Sequence, residues 1–267
     1  MNRVLFGRIV AANRLRVALS ALGLAAWGLV LPVVYAAFGR EVGAFVRGNP
    51  LLEQFSRFGD GDLFSLHGTI AIGFIHPFAL LLLGITAVGF PAIAIAGERQ
   101  RGTLEVLLAR PISRRTVYLT SFVAGALFLA ILLAVLLAAN IVSATLAGVG
   151  PELAVGNMPL LWLNGWLLYL AILSISFAAS VSSDRLAPAI GVPLAIVLVS
   201  YVIDALGSIW PDISWIRDWS IFHLVKAQSA LDGTLPPADP AILALIAVVA
   251  FGYAWVIFPR RDLAAPS

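Results

Sequence analysis

Few side chains in this sequence are of a type and spacing that could do chemistry. The only lysine, Lys226, lies between Val225 and Ala227. A phosphate-cradling loop needs Gly-x-x-x-x-Gly-Lys-Ser/Thr, so that backbone amides and a lysine close on the phosphates together. That loop is absent, and the chain does not hydrolyse nucleotide by that route. The histidines are His67, His76 and His223, and none belongs to an H-E-x-x-H or comparable ligand cluster. His67 and His76 stand about two and a half helical turns apart. A shared ligand is open to them, against the plainer role of interfacial or pore-lining polar residues. With no cysteine, thiol catalysis, disulfides and cysteine metal sites are excluded. Serines are numerous, but no Gly-x-Ser-x-Gly presents one on an activating turn. An intramembrane hydrolase stays open only through partners that meet in three dimensions.

The elements that must position these residues are set by composition. Of 267 residues, 61% are hydrophobic and 12% charged, and the mean hydropathy is +0.98. A soluble domain is about half apolar and a quarter charged, so this is a polytopic, all-α membrane protein. In such a chain a net charge of +3 bears on orientation, not on nucleic acid, and no nucleic-acid partner is expected. Roughly 20 apolar residues cross a bilayer as a helix. Six spans follow, near 17–39, 68–97, 117–148, 159–183, 186–209 and 240–259, in one transmembrane domain over 1–267. The first apolar run is too long for a signal-peptide core and lacks a small-x-small cleavage site, so it reads as a retained span. Pro32, Pro77, Pro91, Pro188 and Pro193 lie in or near spans, where neighbouring helices must satisfy the freed carbonyls.

Ionisable and amide side chains inside a span are costly and often functional. Asp204 is the one acid deep in a predicted span, and Asn140 and Asn164 sit in spans three and four. They are candidates for a substrate path, or in the case of Asp204 for a coupling-ion site. The alternatives are helix–helix hydrogen bonding and, for Asp204, a reach to the outer headgroups near Trp210.

With the N-terminus inside, inner segments hold twelve Lys+Arg and outer ones five. That bias places both termini in the cytoplasm. Residues 1–16 interleave Arg3, Arg8, Arg14 and Arg16 with Val4, Leu5, Ile9 and Leu15, the pattern of an interfacial amphipathic helix or of a frayed basic terminus. Residues 41–66 suit a short helix on the outer membrane surface. Residues 210–236 carry Trp210, Trp215 and Trp219, suited to the headgroup layer. Ile221, Leu224, Val225 and Leu231 follow at near-helical spacing, so one or two helices should dip into the outer interface before the last span.

The polar segment 97–116, GERQRGTLEVLLARPISRRT, lies between spans two and three and holds five of the seventeen Lys+Arg. Leu104, Leu107 and Leu108 fall at i, i+3 and i+4 and share a helix face. Thr103 can cap this helix and Glu105 suits its first turn. Pro111 cannot continue it, and Ser113 offers a cap for the next. The leucine face needs cover from lipid, from the chain itself or from a second protein.

Glu98 to Arg115 resembles the signature of type-2 exporter permeases of the ABC transporter class, roughly Glu-(Glu/Arg)-x-x-Gly-Thr-Leu-Glu-x-Leu-Leu-x-x-Pro-(Leu/Ile/Val)-Ser-Arg. Glu98, Gly102, Thr103, Leu104, Glu105, Leu107, Leu108, Pro111, Ser113 and Arg114 fill its positions. Arg99 replaces the frequent second acid, and Ser121 stands near the place of a lysine common just inside the following span. Phe258-Pro-Arg-Arg-Asp-Leu263 is similar to the Phe-x-Arg-Arg-Asp-Leu ending of many members, and Phe222 to Gly233 to their segment before the last span.

The resemblance implies a permease working as a dimer with a second copy of itself, a homodimer, each copy bound to a separate ATPase subunit that holds ATP and Mg. This chain itself would bind no cofactor. The 97–116 loop would contain the coupling helix, seated in an ATPase groove, and the N-terminal helix would lie along the inner leaflet. The segment before the last span would be re-entrant at the outer face, and the substrate path would run between two permeases in the cell membrane. The cargo expected is a hydrophobic or amphipathic solute. A secondary transporter using Asp204 is the rival reading.

Overall fold

The computed structural model describes residues 2–47, 64–104 and 112–261. Among these residues the regular structure is helical, without strands, and six helices are long and apolar enough to cross a membrane.

Helix α1, Arg3–Val34, starts from Asn2, whose side chain accepts a hydrogen bond from the Leu5 amide at 3.0 Å. It runs through a π-helical turn, Tyr35–Gly39, into α2, Arg40–Arg47. The basic segment expected as a separate interfacial helix is instead continuous with span one. Between Ile9 and Arg16 there is no proline or glycine to break the ladder, so the helix propagates from its cap. Part of the helix expected within 41–66 is α2; residues 48–63 lie outside the described residues.

The expected second span, 68–97, is two elements. Helix α3, Leu66–Ile75, ends at His76, which is extended at φ −61° and ψ 141°. Pro77 disfavours helical backbone in the residue before it. The His76 Nδ1 then accepts from the Phe78 amide at 3.2 Å, and α4, Pro77–Gln100, starts from that cap. Only α4 is long enough to span.

The remaining spans are α5 Arg114–Leu146, α6 Met158–Ser182 and α7 Leu186–Ile209. A 3₁₀ helix, Pro211–Trp219, and a short helix α8, Ala227–Leu231, precede α9, Ala238–Arg260. In the 3₁₀ region Trp210, Trp215 and Trp219 face outward, while Phe222, Val225, Ala230 and Leu231 are buried. This segment therefore folds onto the bundle, with α8 against α6 and α3.

Helix α6 is the centre of the packing and touches α4, α5, α7, α8 and α9. Small residues permit the approach. A Cβ on Gly165 would meet the Phe74 ring at 2.9 Å. Where α1 crosses α5, a Cβ on Gly28 would meet the Leu136 carbonyl at 2.7 Å, and Ser143 donates to the Leu29 carbonyl.

Helix α4 contains two π-helical turns, Ile85–Gly89 and Ile93–Gly97, on either side of Pro91. The second has a visible cause. The Ser180 hydroxyl of α6 donates to the Pro91 carbonyl at 2.9 Å and accepts from the Ala96 amide at 3.0 Å. It sits between an i carbonyl and an i+5 amide, and a side chain inserted into the ladder widens it locally.

Candidate functional site

The chain leaves α4 through a closed turn. Gly102 has φ +71°, a left-handed conformation that glycine adopts without the penalty a Cβ brings, and its amide donates to the Arg99 carbonyl at 2.9 Å. The Thr103 hydroxyl is bonded to the Glu98 carbonyl at 3.1 Å and to the Glu98 carboxylate, whose other oxygen pairs with Arg101. Glu98, Gly102 and Thr103 thus form one unit: an acid at the helix end, a reversal, and a hydroxyl returning to both. Arg101 is largely exposed, so its pair adds little stability.

Leu104, the next residue, is fully buried and belongs to the hydrophobic core of this chain. The expected leucine face is therefore not wholly free for another protein; a side chain with no exposed surface is already covered. Glu105, Leu107, Leu108 and Pro111 lie outside the described residues. The structure resumes before Ser113, the N-cap of α5, which accepts from the Thr116 amide at 3.2 Å. Arg114 turns toward α9: its Nη1 donates to the carbonyls of Pro259, at 3.2 Å, and Arg261, at 2.9 Å. A cation there satisfies carbonyls that a helix end leaves open.

A group that the sequence reading did not single out ties this end of the bundle together. Asp184, in the short turn between α6 and α7, has its Oδ1 2.8 Å from Arg99 Nη1, and the same oxygen accepts from Arg261 Nη2. Arg99 is buried and its contact is an ion pair, not an aligned hydrogen bond. Arg261 also donates to the Val181 carbonyl. Beside them, the Gln100 side-chain oxygen accepts from the Leu186 amide at 2.7 Å. One carboxylate thus joins the end of α4, the α6–α7 turn and the end of α9. The signal in sequence was slight: Asp184 and Arg185 are the charges in a turn too short to be a loop of its own.

The candidate path residues are held separately. Asn140 is buried on α5 and donates to the Leu136 carbonyl within its own helix at 2.9 Å. Asn164, buried on α6, donates to the Leu224 carbonyl at 3.3 Å. The carbonyl oxygens of both asparagines lack a partner. Asp204, buried near the end of α7, pairs with Arg217 of the 3₁₀ helix at 3.1 Å. Gly207 makes room for this arginine, since a Cβ there would fall 2.4 Å from Arg217 Cγ. None of the three lines the apolar cavity of about 240 Å³ between α4, α6 and α7, or that of about 320 Å³ between α5, α6 and α9.

His223 lies near both Asp204, at 3.8 Å, and Asp218, at 3.7 Å. Burial pushes its pKa below the usual histidine value, helped by the charges of Lys226 and Arg217 and opposed by the two acids. His67 and His76 are engaged by different partners. The His67 Nδ1 is 2.7 Å from Asp232 and its Nε2 accepts from the Ala154 amide at 3.4 Å. His76 packs against the Trp27 ring, with centroids 4.5 Å apart and planes tilted by 30°. Among the described residues no cluster of three acids or histidines could hold a metal.

Six apolar helices, with a polar end knit from α4, the α6–α7 turn and α9, define a multi-pass helical membrane protein. Residues 9–263 match the family model described as ABC-2 family transporter protein, and the chain belongs to that family. It is thus the membrane-embedded permease component of an ABC transporter, a transport subunit that is not itself catalytic, and the family implies a partner ABC ATPase. No curated protein matches the chain in sequence.

Proposed function

We propose that this permease is an exporter subunit moving a hydrophobic or amphipathic solute, drug-like or lipid-like, with ATP and Mg held by a separate ATPase. It works as a pair of copies in the cell membrane, with both termini and the 97–116 segment on the cytoplasmic side. The observation that carries this reading is the junction at Asp184. Arg99 and Arg114, near the two ends of the polar segment, are tied to the α6–α7 turn and to the end of α9. A push on that segment would reach several spans at once, which suits an interface-driven rigid-body switch.

Leu107 and Leu108 supply the apolar contact in this reading, with neighbouring charges fixing register at its rim. Leu104 anchors the base of the segment within the chain. Pairing of two copies draws on α7, whose Val192, Leu194, Leu198, Val199 and Val202 face outward. Both lipid and a second copy can cover such a face. The apolar cavities between helices are compatible with greasy cargo.

The test is co-purification with the cognate ATPase. Leu107→Asp or Leu108→Asp should abolish it while membrane insertion is kept. Undiminished co-purification of both variants would overturn the assignment of this segment. Leu104→Asp is unsuitable, because charging a buried core position unfolds the chain for a separate reason.

A further inference from the structure

Next to Glu98, α1, α4 and α5 enclose a cleft of about 390 Å³, within the roughly 300–1,000 Å³ range of small-ligand sites. Its lining is divided by chemistry. Arg8 and Arg16, two helical steps of four apart, stand on the α1 wall, while Phe90, Ile93 and Val117 make an apolar wall opposite. The cleft sits where α4 passes from apolar residues into its polar turn, the depth at which a lipid headgroup meets its chains.

The charges in the cleft are not used up by the fold. Arg16 is steered by Asn13, whose Oδ1 accepts from it at 3.4 Å, and Arg8 has no ion-pair partner among the described residues. Glu98, the acid in the lining, is already engaged by Arg101 and Thr103. The cleft therefore presents two cations and an apolar wall, and it offers no uncommitted acid to a cationic headgroup.

We propose that this cleft binds one anionic phospholipid, with its phosphate between Arg8 and Arg16 and an acyl chain along Phe90 and Ile93. Arginine suits phosphate because its planar fork donates two parallel hydrogen bonds, and basic pockets between membrane helices hold anionic headgroups in this way. The lipid is a resident part of the fold, separate from the cargo and from the ATPase. Bound there, it joins α1 to the ends of α4 and α5.

The experiment uses the full chain, purified in detergent and stripped of lipid, with the thermal unfolding midpoint followed against added ligand. Dioctanoyl phosphatidylglycerol should raise the midpoint saturably, since a ligand of the native state stabilises by mass action. Dioctanoyl phosphatidylcholine and inorganic phosphate should not. The double variant Arg8→Gln/Arg16→Gln should weaken half-saturation roughly thirtyfold, about fivefold for each arginine near a lipid surface. Arg3→Gln/Arg14→Gln, which changes charges outside the cleft lining, should leave it unchanged. Ala12→Trp, which fills the cleft and keeps both arginines, should block the response, and it serves alone if the double variant does not fold. Equal stabilisation by the two lipids would mean apolar filling only, and equal stabilisation by inorganic phosphate would mean a free-anion site. Either result overturns the proposal, as does an unchanged response in Ala12→Trp or in the Arg8/Arg16 variant.

Discussion

Asp184 Oδ1 and Arg99 Nη1 lie 2.8 Å apart, and this pair crosses from the turn between α6 and α7 to the end of α4. Because Arg261 shares the same oxygen, the end of α9 is held in the junction as well. Arg99 is buried while Asp184 is half exposed, so the arginine depends on this acid more than the acid depends on it.

Replacing Asp184 with Asn should therefore destabilise the chain. Breaking a fully buried pair costs about 3–5 kcal/mol; with one partner half exposed, the loss should be about 1–2 kcal/mol. Arg261→Gln should cost less, because Arg99 keeps its acid. Denaturant unfolding of the purified permease measures both. Equal stability of Asp184→Asn and the parent would show that the pair is ornamental. ATPase activity stimulated by cargo should also fall in Asp184→Asn, since the polar segment would lose its tie to α6 and α7.

Ser180→Ala removes the hydroxyl that bridges Pro91 and Ala96. Two buried backbone groups then lose a partner, at a cost of about 1–3 kcal/mol. Hydrogen exchange at the Ala96 amide should accelerate, while amides in the middle of α5 keep their protection. Unaltered protection at Ala96 would mean that α4 closes into a regular ladder without the hydroxyl.

Asp204 and Arg217 invite a double-mutant cycle. Arg217→Gln alone leaves a carboxylate that is only 4% exposed without its cation, and should cost about 3 kcal/mol. Asp204→Asn/Arg217→Gln should recover part of that loss. Transport by Asp204→Asn should persist and remain dependent on ATP. Complete loss of transport in a fully stable Asp204→Asn chain would instead mark a coupling-ion site and favour a secondary transporter.

His223 makes stability depend on pH. Its folded pKa lies below the unfolded value of 6.5, so the unfolded chain binds the proton more readily. The contribution is fully present above about 6.5 and is lost as pH falls through the lower folded value. His223→Gln should flatten the stability profile on the acid side of 6.5. A profile of unchanged slope would assign the acid sensitivity to other groups.

The spans were legible because a run of some 20 apolar residues has few other stable forms. The fifth, expected over 186–209, is α7 Leu186–Ile209. The division of the second left a mark in the sequence, since Pro77 disfavours helical backbone at His76, yet Pro193 sits inside α7 without breaking it, so a proline alone does not distinguish a kink from a break. Gly102 and Thr103 could be read as types in a motif, but their closure onto Glu98 is a matter of three-dimensional geometry. The Asp184 junction and the Ser180 splice join residues about eighty to ninety positions apart, and no local periodicity records such a meeting. Leu104 shows the converse limit: spacing put it on an apolar face without saying what covers that face.

Helix α1 runs as a single helical element from Arg3 to Val34. At 1.5 Å per residue its 32 residues make a mast of about 48 Å, taller than the roughly 30 Å oily layer it crosses. Its foot is moored where the Asn2 amide donates to the Thr120 hydroxyl, and its head, just past the helix, where the Tyr35 hydroxyl donates to Glu152. Its one interior proline, Pro32, stands within a turn of the upper mooring, so along the long stretch below it a lean imposed at one face of the bilayer is carried towards the other.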